Sequence, residues 1–384
     1  MLLYPYSYEM TISVAVKNLL QDKVRILLSA TGVALAVMLI LVLNGFVTGL
    51  YQQVSAYLDN SPGTLVITQR GVTNMLGATS LIPTDTMDRA LELQTVADAV
   101  PILSQFVILN LHDLKQPAYL IGYPGGPGTP ASRGGPWNII QGREPLTNGE
   151  MVFDQVLAKR HNLRLGDRFE LMGQEFKIVG LSDGTTSWMT SFIFLRKVAV
   201  EELLRAPEAT SFLLVSQEPG IDQAQVINQL KQLEGIEVLP KETIVANDTK
   251  LLVEVFSTPL QLMAGIAFFV GVLVVGLVIY TATIERQREY GVLKSIGACN
   301  RFLYKLVIIQ ATVAAALGAI AGIGFALGLA KTIMHFRPEF LIIFESDLIW
   351  LALGSSFAIS LLAAIVPART IAKLEPAMVF QRGR

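Results

Sequence analysis

LQLMAGIAFFVGVLVVGLVIYTATI, residues 260–284, decides the architecture. The stretch contains no Asp, Glu, Lys, Arg or His. A helix rises about 1.5 Å per residue and the hydrocarbon of a bilayer is about 30 Å thick, so roughly 20 apolar residues suffice to cross it. Three more stretches read the same way: ILLSATGVALAVMLILVLNGFV (26–47), LVIIQATVAAALGAIAGIGFALGLA (306–330) and LIWLALGSSFAISLLAAIV (348–366). None of them carries a formal charge. Lipid offers no partner to an open backbone group, so each must be a helix. The first apolar run is longer than the core of a signal peptide and is expected to be an uncleaved anchor.

The composition agrees. Of 384 residues, 52% are hydrophobic and 16% charged, with a mean hydropathy of +0.50. Soluble domains carry about 25% charged residues. The net charge of -1 gives no basic field for nucleic acid.

Basic residues set the expected orientation, because cationic side chains are retained on the cytoplasmic side. Lys17, Lys23 and Arg25 precede the first span. Arg286, Arg288, Lys294, Arg301 and Lys305 separate the second from the third, and Arg369, Lys373, Arg382 and Arg384 follow the fourth. Both termini are then inside. The segment 49–256 is outside, as is the short loop 331–347, whose Lys331 and Arg337 are mild exceptions. Residues 285–305 form a cytoplasmic connection and 367–384 a cytoplasmic tail. Ahead of the first span, Ile12, Val16, Leu19, Leu20 and Val24 share one helical face within 1–25. They predict an amphipathic helix, lying in the membrane interface or running on into the span.

The outer segment has ordinary charge density and short apolar runs. LVITQ (65–69), FVILNL (106–111), AYLIGY (118–123), FELM (169–172), FKIVGL (176–181), SFIFL (191–195) and SFLLVS (211–216) predict strands. Residues 85–93, 150–162 and 221–233 carry helical patterns. The fold expected is therefore an α-helical membrane protein with four transmembrane helices and an extracytoplasmic α+β domain inserted between the first two. A division into two lobes is expected near the Gly/Pro-rich stretch 122–136. The single cysteine, Cys299, lies on the inner side, so the outer domain has no disulfide to hold it.

Catalysis finds no support. The spans hold no His, Asp, Glu or Cys, and His112, His161 and His335 show no ligand spacing. Gly318-x-x-x-Gly322 and Gly324-x-x-x-Gly328 in the third span predict close helix packing. Asn44 and Phe46 in the first span, and Phe268 and Phe269 in the second, are candidate substrate contacts. Asn44, Gln310 and Ser360 are polar groups expected to bond across helices.

Between the second and third spans, charges of both signs are packed with an apolar stripe of Tyr290, Leu293 and Ile296. Such a segment suits docking in a partner's groove. Its run ERQREYGVLKSIGA (285–298) resembles the junction motif of FtsX-like, MacB-type ABC transporter permeases. The tail VPARTIAKLEPAMVF (366–380), the start VKNLLQDKVRILLSATGVALAV (16–37) and the outer stretch 142–181 are similar to further motifs of that family, in the same order. The resemblance implies a homodimer of permeases recruiting a cytoplasmic ATPase, whose ATP-driven closure is relayed through the helices by mechanotransmission. Glu285, Arg286, Arg288, Glu289, Tyr290, Gly291, Leu293, Lys294 and Gly297 would form the coupling element seated on the ATPase.

The resemblance further implies a hydrophobic or amphipathic substrate, exported or extracted: lipid, glycolipid, lipoprotein, haem or drug. A periplasmic adaptor and outer-membrane channel are expected companions, with membrane lipid as surroundings. The alternative is a complex that relays motion to an outer cell-wall hydrolase or sensor kinase without transport. No G-x-x-x-x-G-K-[ST] occurs in the chain. A DevC-like stand-alone permease in a bacterial cell membrane is therefore expected, with no cofactor of its own and with ATP and Mg bound by a separate ATPase.

Overall fold

The computed structural model describes residues 23–111, 114–125, 133–187 and 190–373. The predicted N-terminal surface helix, His112, and Arg382 and Arg384 in the tail lie outside them. The chain forms two compact units. One holds the spans with the junction between the second and third and residues 342–345; the other comprises residues 49–256 together with 337–341.

The membrane unit contains α7 (Glu254–Glu285), α8 (Gln287–Ser295), α9 (Asn300–Phe336), α10 (Ser346–Ala372) and the first part of α1 (Lys23–Asn60). The four long helices are apolar enough to cross a membrane. Each outruns the apolar stretch that announced it, because an established helix adds one hydrogen bond per residue and tolerates polar flanks. Their shared core joins Val33, Val37 and Leu41 of α1 to Val275 and Ile279 of α7, Leu306 and Val307 of α9, and Ile359 and Ala363 of α10.

Two glycines of α9 set the approach to α1. A Cβ on Gly318 would sit 2.7 Å from the Ala30 carbonyl oxygen and 2.6 Å from Val33 Cβ. A Cβ on Gly322 would sit 2.7 Å from the Ala34 carbonyl oxygen and 2.9 Å from Val37 Cβ. The backbone-to-backbone contact is possible only without side chains. Gly324 and Gly328 differ from expectation: a Cβ there meets nothing within 4 Å. The reason is helical phase, since two residues past Gly322 is a turn of about 200°, onto the opposite face.

The outer unit is built on a mixed sheet. Its strands are β1 (Leu65–Gln69), β2 (Val96–Leu111), β3 (Leu114–Tyr123), β4 (Ile139–Gly142), β5 (Glu150–Asp154), β6 (Arg168–Leu171), β7 (Gln174–Ser182), β8 (Thr186–Ser187), β9 (Thr190–Arg196), β10 (Phe212–Gln217) and β11 (Ile236–Pro240). The order is β11-β1-β10-β2-β3-β9-β5-β7-β4, with β6 on β7 and β8 on β9. The β3–β9 and β5–β7 pairs are parallel. The helices are α2 (Thr86–Leu91), α3 (Gln155–Arg160), α4 (Lys197–Leu204), α5 (Gln223–Leu230) and α6 (Lys241–Leu252).

Strand β2 carries two cores. Its first part pairs with β10 (Ile102↔Phe212), and its second with β3 (Leu103↔Gly122). One cluster gathers Leu65, Ile67, Val96, Leu213, Val226 and Leu230. The other gathers Leu103, Leu120, Phe153, Ile193, Leu195 and Val200. The expected division near 122–136 is thus displaced to the middle of a strand, and the second lobe is inserted within the first. A 16-residue strand long enough to serve both cores hides the boundary from any reading of Gly and Pro.

The helix expected over 150–162 is also corrected. Met151, Val152 and Phe153 are fully buried in β5, a strand covered by β7 and β9, and only residues 155–160 are helical. A continuously apolar strand has no alternation to betray it. Asp154 marks the switch: its Oδ1 accepts the Leu157 N–H at 2.9 Å, capping α3. Hydroxyls of Thr185, Thr186 and Ser191 donate to the same carboxylate. Burial still raises its pKa, against those hydrogen bonds.

Residues 49–60 of α1 belong to this unit. Tyr57 is buried beside Trp137, Phe192 and Phe194, and its hydroxyl donates to the Gly134 carbonyl at 2.8 Å. The strip 337–341, expected as part of a short outer loop, is bound here as well. Gln53 Nε2 donates to the Glu339 carbonyl at 2.9 Å, and Arg160 pairs with the Glu339 carboxylate at 2.6 Å. Gly49 passes so close to Leu341 that a Cβ would lie 1.8 Å from its carbonyl oxygen.

Two predictions follow from these contacts. Gly318→Val or Gly322→Val forces α9 from α1 and lowers bundle stability by about 1–3 kcal/mol, whereas Gly324→Val and Gly328→Val spare that contact and leave thermal unfolding of the monomeric chain in nanodiscs nearly unchanged. The second concerns Asp248, whose carboxylate accepts the Met75 and Leu76 N–H groups at 3.1 and 2.9 Å. Burial pushes its pKa from 3.8 up to about 7, in spite of those bonds. Between these values the folded chain holds a proton that the unfolded chain has released. Stability therefore falls as pH rises from about 4 to about 7, by on the order of 2–4 kcal/mol. Thermal unfolding between pH 5 and 8 should show that slope in the native chain and a shallower one in Asp248→Asn.

Candidate functional site

The junction between the second and third spans is a short helix with two unlike faces. Helix α7 ends at Glu285, and Arg286 leaves helical geometry at φ -98, ψ 16 before α8 begins. At its other end α8 stops on Gly297, whose φ of +99 closes a C-terminal motif. The Gly297 N–H bonds to the Lys294 carbonyl at 3.1 Å and the Ala298 N–H to the Leu293 carbonyl at 3.0 Å. This is the paired reversal that glycine permits and a side chain resists.

One face of α8 is turned to the spans. Tyr290 is 4% exposed within the bundle core, Gly291 is buried, and Leu293 packs against the same core. Lys294 Nζ donates to the Ala372 carbonyl at 2.7 Å, at the C-terminal end of α10, where the helix leaves carbonyls unpaired and partial charge negative. So α8 is fastened to the end of the last span as well as to its neighbours in sequence.

The other face is open. Glu285, Arg288 and Glu289 are exposed, and the half-buried Arg286 lies 3.8 Å from Glu289. Val292 and Ile296 are 44% and 67% exposed. Residues 288, 289, 292 and 296 recur at three- and four-residue spacing, so they form one stripe of mixed charge and apolar surface. The stripe expected from sequence was Tyr290, Leu293 and Ile296. The structure turns the first two inward, and Val292 takes their place on the open face. The missing signal was burial: Tyr290 lies one turn after Arg286, where the chain leaves α7, and is drawn into the bundle.

The candidate contacts in the spans are spread over separate settings. Asn44 Nδ2 donates to the Ile40 carbonyl of its own helix at 2.8 Å, so one of its two donors is used locally. Phe46 is half-buried. Phe268 packs against the bundle core while Phe269 is 69% exposed, their rings edge to face with centroids 6.3 Å apart. Gln310 is half-buried. Ser360, expected to bond to a neighbouring helix, is fully buried, and its hydroxyl has no hydrogen-bond partner among the described residues.

Comparison with known proteins places this architecture. The family model of the MacB-like periplasmic core domain matches residues 26–233, and that of the FtsX-like permease C-terminal region matches residues 262–376. An uncharacterized ABC transporter permease of Mycobacterium tuberculosis (strain H37Rv) is 24% identical over 370 residues, which are 95% of this chain and 98% of that one. A Staphylococcus haemolyticus protein, named as a candidate hemin transport system permease, HrtB, is 23% identical over 291 residues, 73% of this chain and 75% of that one. The crystal structure of the periplasmic region of MacB from Actinobacillus actinomycetemcomitans aligns at 16% identity and a TM-score of 0.36, covering 49% of this chain and 92% of that one. The first of these family models spans more than half of the chain and the second covers the three later helices: the protein belongs to the FtsX-like, MacB-type permeases, as a multi-pass ABC transporter permease with its α/β domain between the first and second spans.

Proposed function

We propose that this chain couples ATP hydrolysis by a separate cytoplasmic ATPase to movement of its outer domain, and so exports or extracts a hydrophobic or amphipathic substrate. ATP and Mg belong to the partner, and this chain supplies the seat and the transmission. The observation that carries the reading is α8. It is locked to the spans through Tyr290, Leu293 and Lys294, and it leaves Arg288, Glu289, Val292 and Ile296 uncovered. A push on that open face acts on a helix already packed against the bundle, so the load reaches the spans without first bending a loop.

Three features support the remainder. The basic clusters on either side of α8 and after α10 favour a cytoplasmic location for α8 and for both termini of a bacterial cell-membrane protein. The spans hold no Asp, Glu, Lys, Arg or His over their apolar lengths, which suits mechanical relay better than a polar pore. The open glycine face at Gly324 and Gly328 permits a second copy to approach closely, as in a homodimer. The hemin named for one relative falls within the same amphipathic class of cargo.

The test reconstitutes the full chain in nanodiscs with its ATPase. Val292→Asp with Ile296→Asp should weaken ATPase association about 10–100-fold and abolish stimulation of hydrolysis, while leaving thermal unfolding unchanged. Unaltered association would overturn the seat assigned to α8. Robust hydrolysis by the purified chain alone would overturn the separate ATPase.

A further inference from the structure

A cavity of about 380 Å³ opens in the outer unit where α3, the start of β3, the β8–β9 hairpin and the strip 337–341 meet. Its wall holds three cations, Lys115, Arg160 and Arg337, against one carboxylate, Glu339. Arg160 and Arg337 both turn to that carboxylate, at 2.6 and 3.3 Å, on opposite oxygens. A guanidinium carries five donors, so one shared carboxylate leaves both forks with donors to spare. Glu339 itself stays ionised: burial alone would raise its pKa, but hydrogen bonds and the two arginines bring it below the ordinary carboxylate range. Its charge is spent on orienting the cations, and the wall keeps a net charge of about +2.

Two further features define the occupant. Thr190 lines the same cavity, and its hydroxyl is buried with no hydrogen-bond partner among the described residues. A buried hydroxyl left unbonded carries a desolvation cost that a ligand's acceptor oxygen relieves. The remaining wall mixes polar residues such as Gln116 and Ser187 with an apolar part made by Pro117, Val156, Leu157 and Phe340. Arg337 follows directly on Phe336, the last residue of an apolar span, so one side of the cavity is bonded to a helix end of the kind that lipid headgroups surround.

We propose that this cavity binds a phosphate-bearing anion, the headgroup of a membrane amphiphile or its free phosphate equivalent, through Lys115 and Arg337, with Arg160 held in place by Glu339. Planar guanidinium forks match phosphate oxygens in pairs, and lysine adds a point charge. The apolar part of the wall accommodates the first carbons beyond the phosphate. The site deepens the proposed function by giving an amphiphile a place in the outer domain. It is independent of α8, so its failure would leave the coupling reading standing.

The experiment titrates the full chain, in neutral detergent, with phosphatidylglycerol, with diacylglycerol and with inorganic phosphate, read by native mass spectrometry. Phosphatidylglycerol should bind the native chain at least about tenfold more tightly than it binds Lys115→Gln/Arg337→Gln, and binding should weaken with salt. Both substituted residues are exposed, so the variant should unfold at the native temperature; Arg337→Glu is the second variant should the double one fold poorly. Competition by inorganic phosphate would assign recognition to the phosphate alone, and its absence to the whole headgroup; either supports the site. Equal binding by diacylglycerol, or undiminished phosphatidylglycerol binding by both variants, would overturn it.

Discussion

A hydrocarbon layer gives a peptide group nothing to bond to. Everything in the membrane unit answers to that one constraint. The four spans are helices because each residue must satisfy its own backbone, and they are long because the layer is thick. Burial of apolar surface cannot draw such helices together in lipid, so their association rests on shape. That is why Gly318 and Gly322 are consequential: without side chains, α9 presses its backbone against Ala30 and Ala34 of α1. Elsewhere in the bundle alanine does similar service, with Ala311, Ala363 and Ala364 in the shared core.

The outer unit lives under the opposite rule. Water is available, so apolar surface must be hidden, and two cores arise on one sheet. Its buried charges are consistent with that. Asp154 and Asp248 each hold backbone N–H groups that would otherwise be stranded, and burial raises the pKa of both. Glu150 stands in contrast. Its bidentate pairing with Arg143, aided by the Leu146 N–H, holds its pKa down at about 2 against the effect of partial burial. The same side-chain chemistry thus ties a loop through an ion pair in one place and caps buried turns in another.

What could be read beforehand follows from these two rules. The spans were plain because a run without charge is a strong, local signal. Short apolar runs such as β1 and β9, buried almost throughout, were also legible. The losses came where burial overrode pattern. Residues 151–153 are apolar on both faces and run on into a helical segment, so the stretch mimics a helix; Tyr290 sits inside where spacing alone put it outside. Gly324 and Gly328 repeat the motif of Gly318 and Gly322 but lie on the opposite face. None of these is a failure of propensity; each depends on which neighbour lies across the contact, and that is long-range information. The strip 337–341 is the extreme case, since Glu339 lies 286 residues from its partner Gln53 and far along the chain from Arg160.

That strip also governs how the molecule can be taken apart. A fragment cut at 49 and 256 follows the sequence boundary of the insertion, yet it would discard five residues that complete the fold. Arg160 would lose its carboxylate and Gln53 its carbonyl, and the narrow passage beside Gly49 would stand empty. The outer domain is therefore discontinuous in its own covalent structure, and a soluble version of it needs residues 337–341 spliced back in, as a graft or a circularly permuted tail.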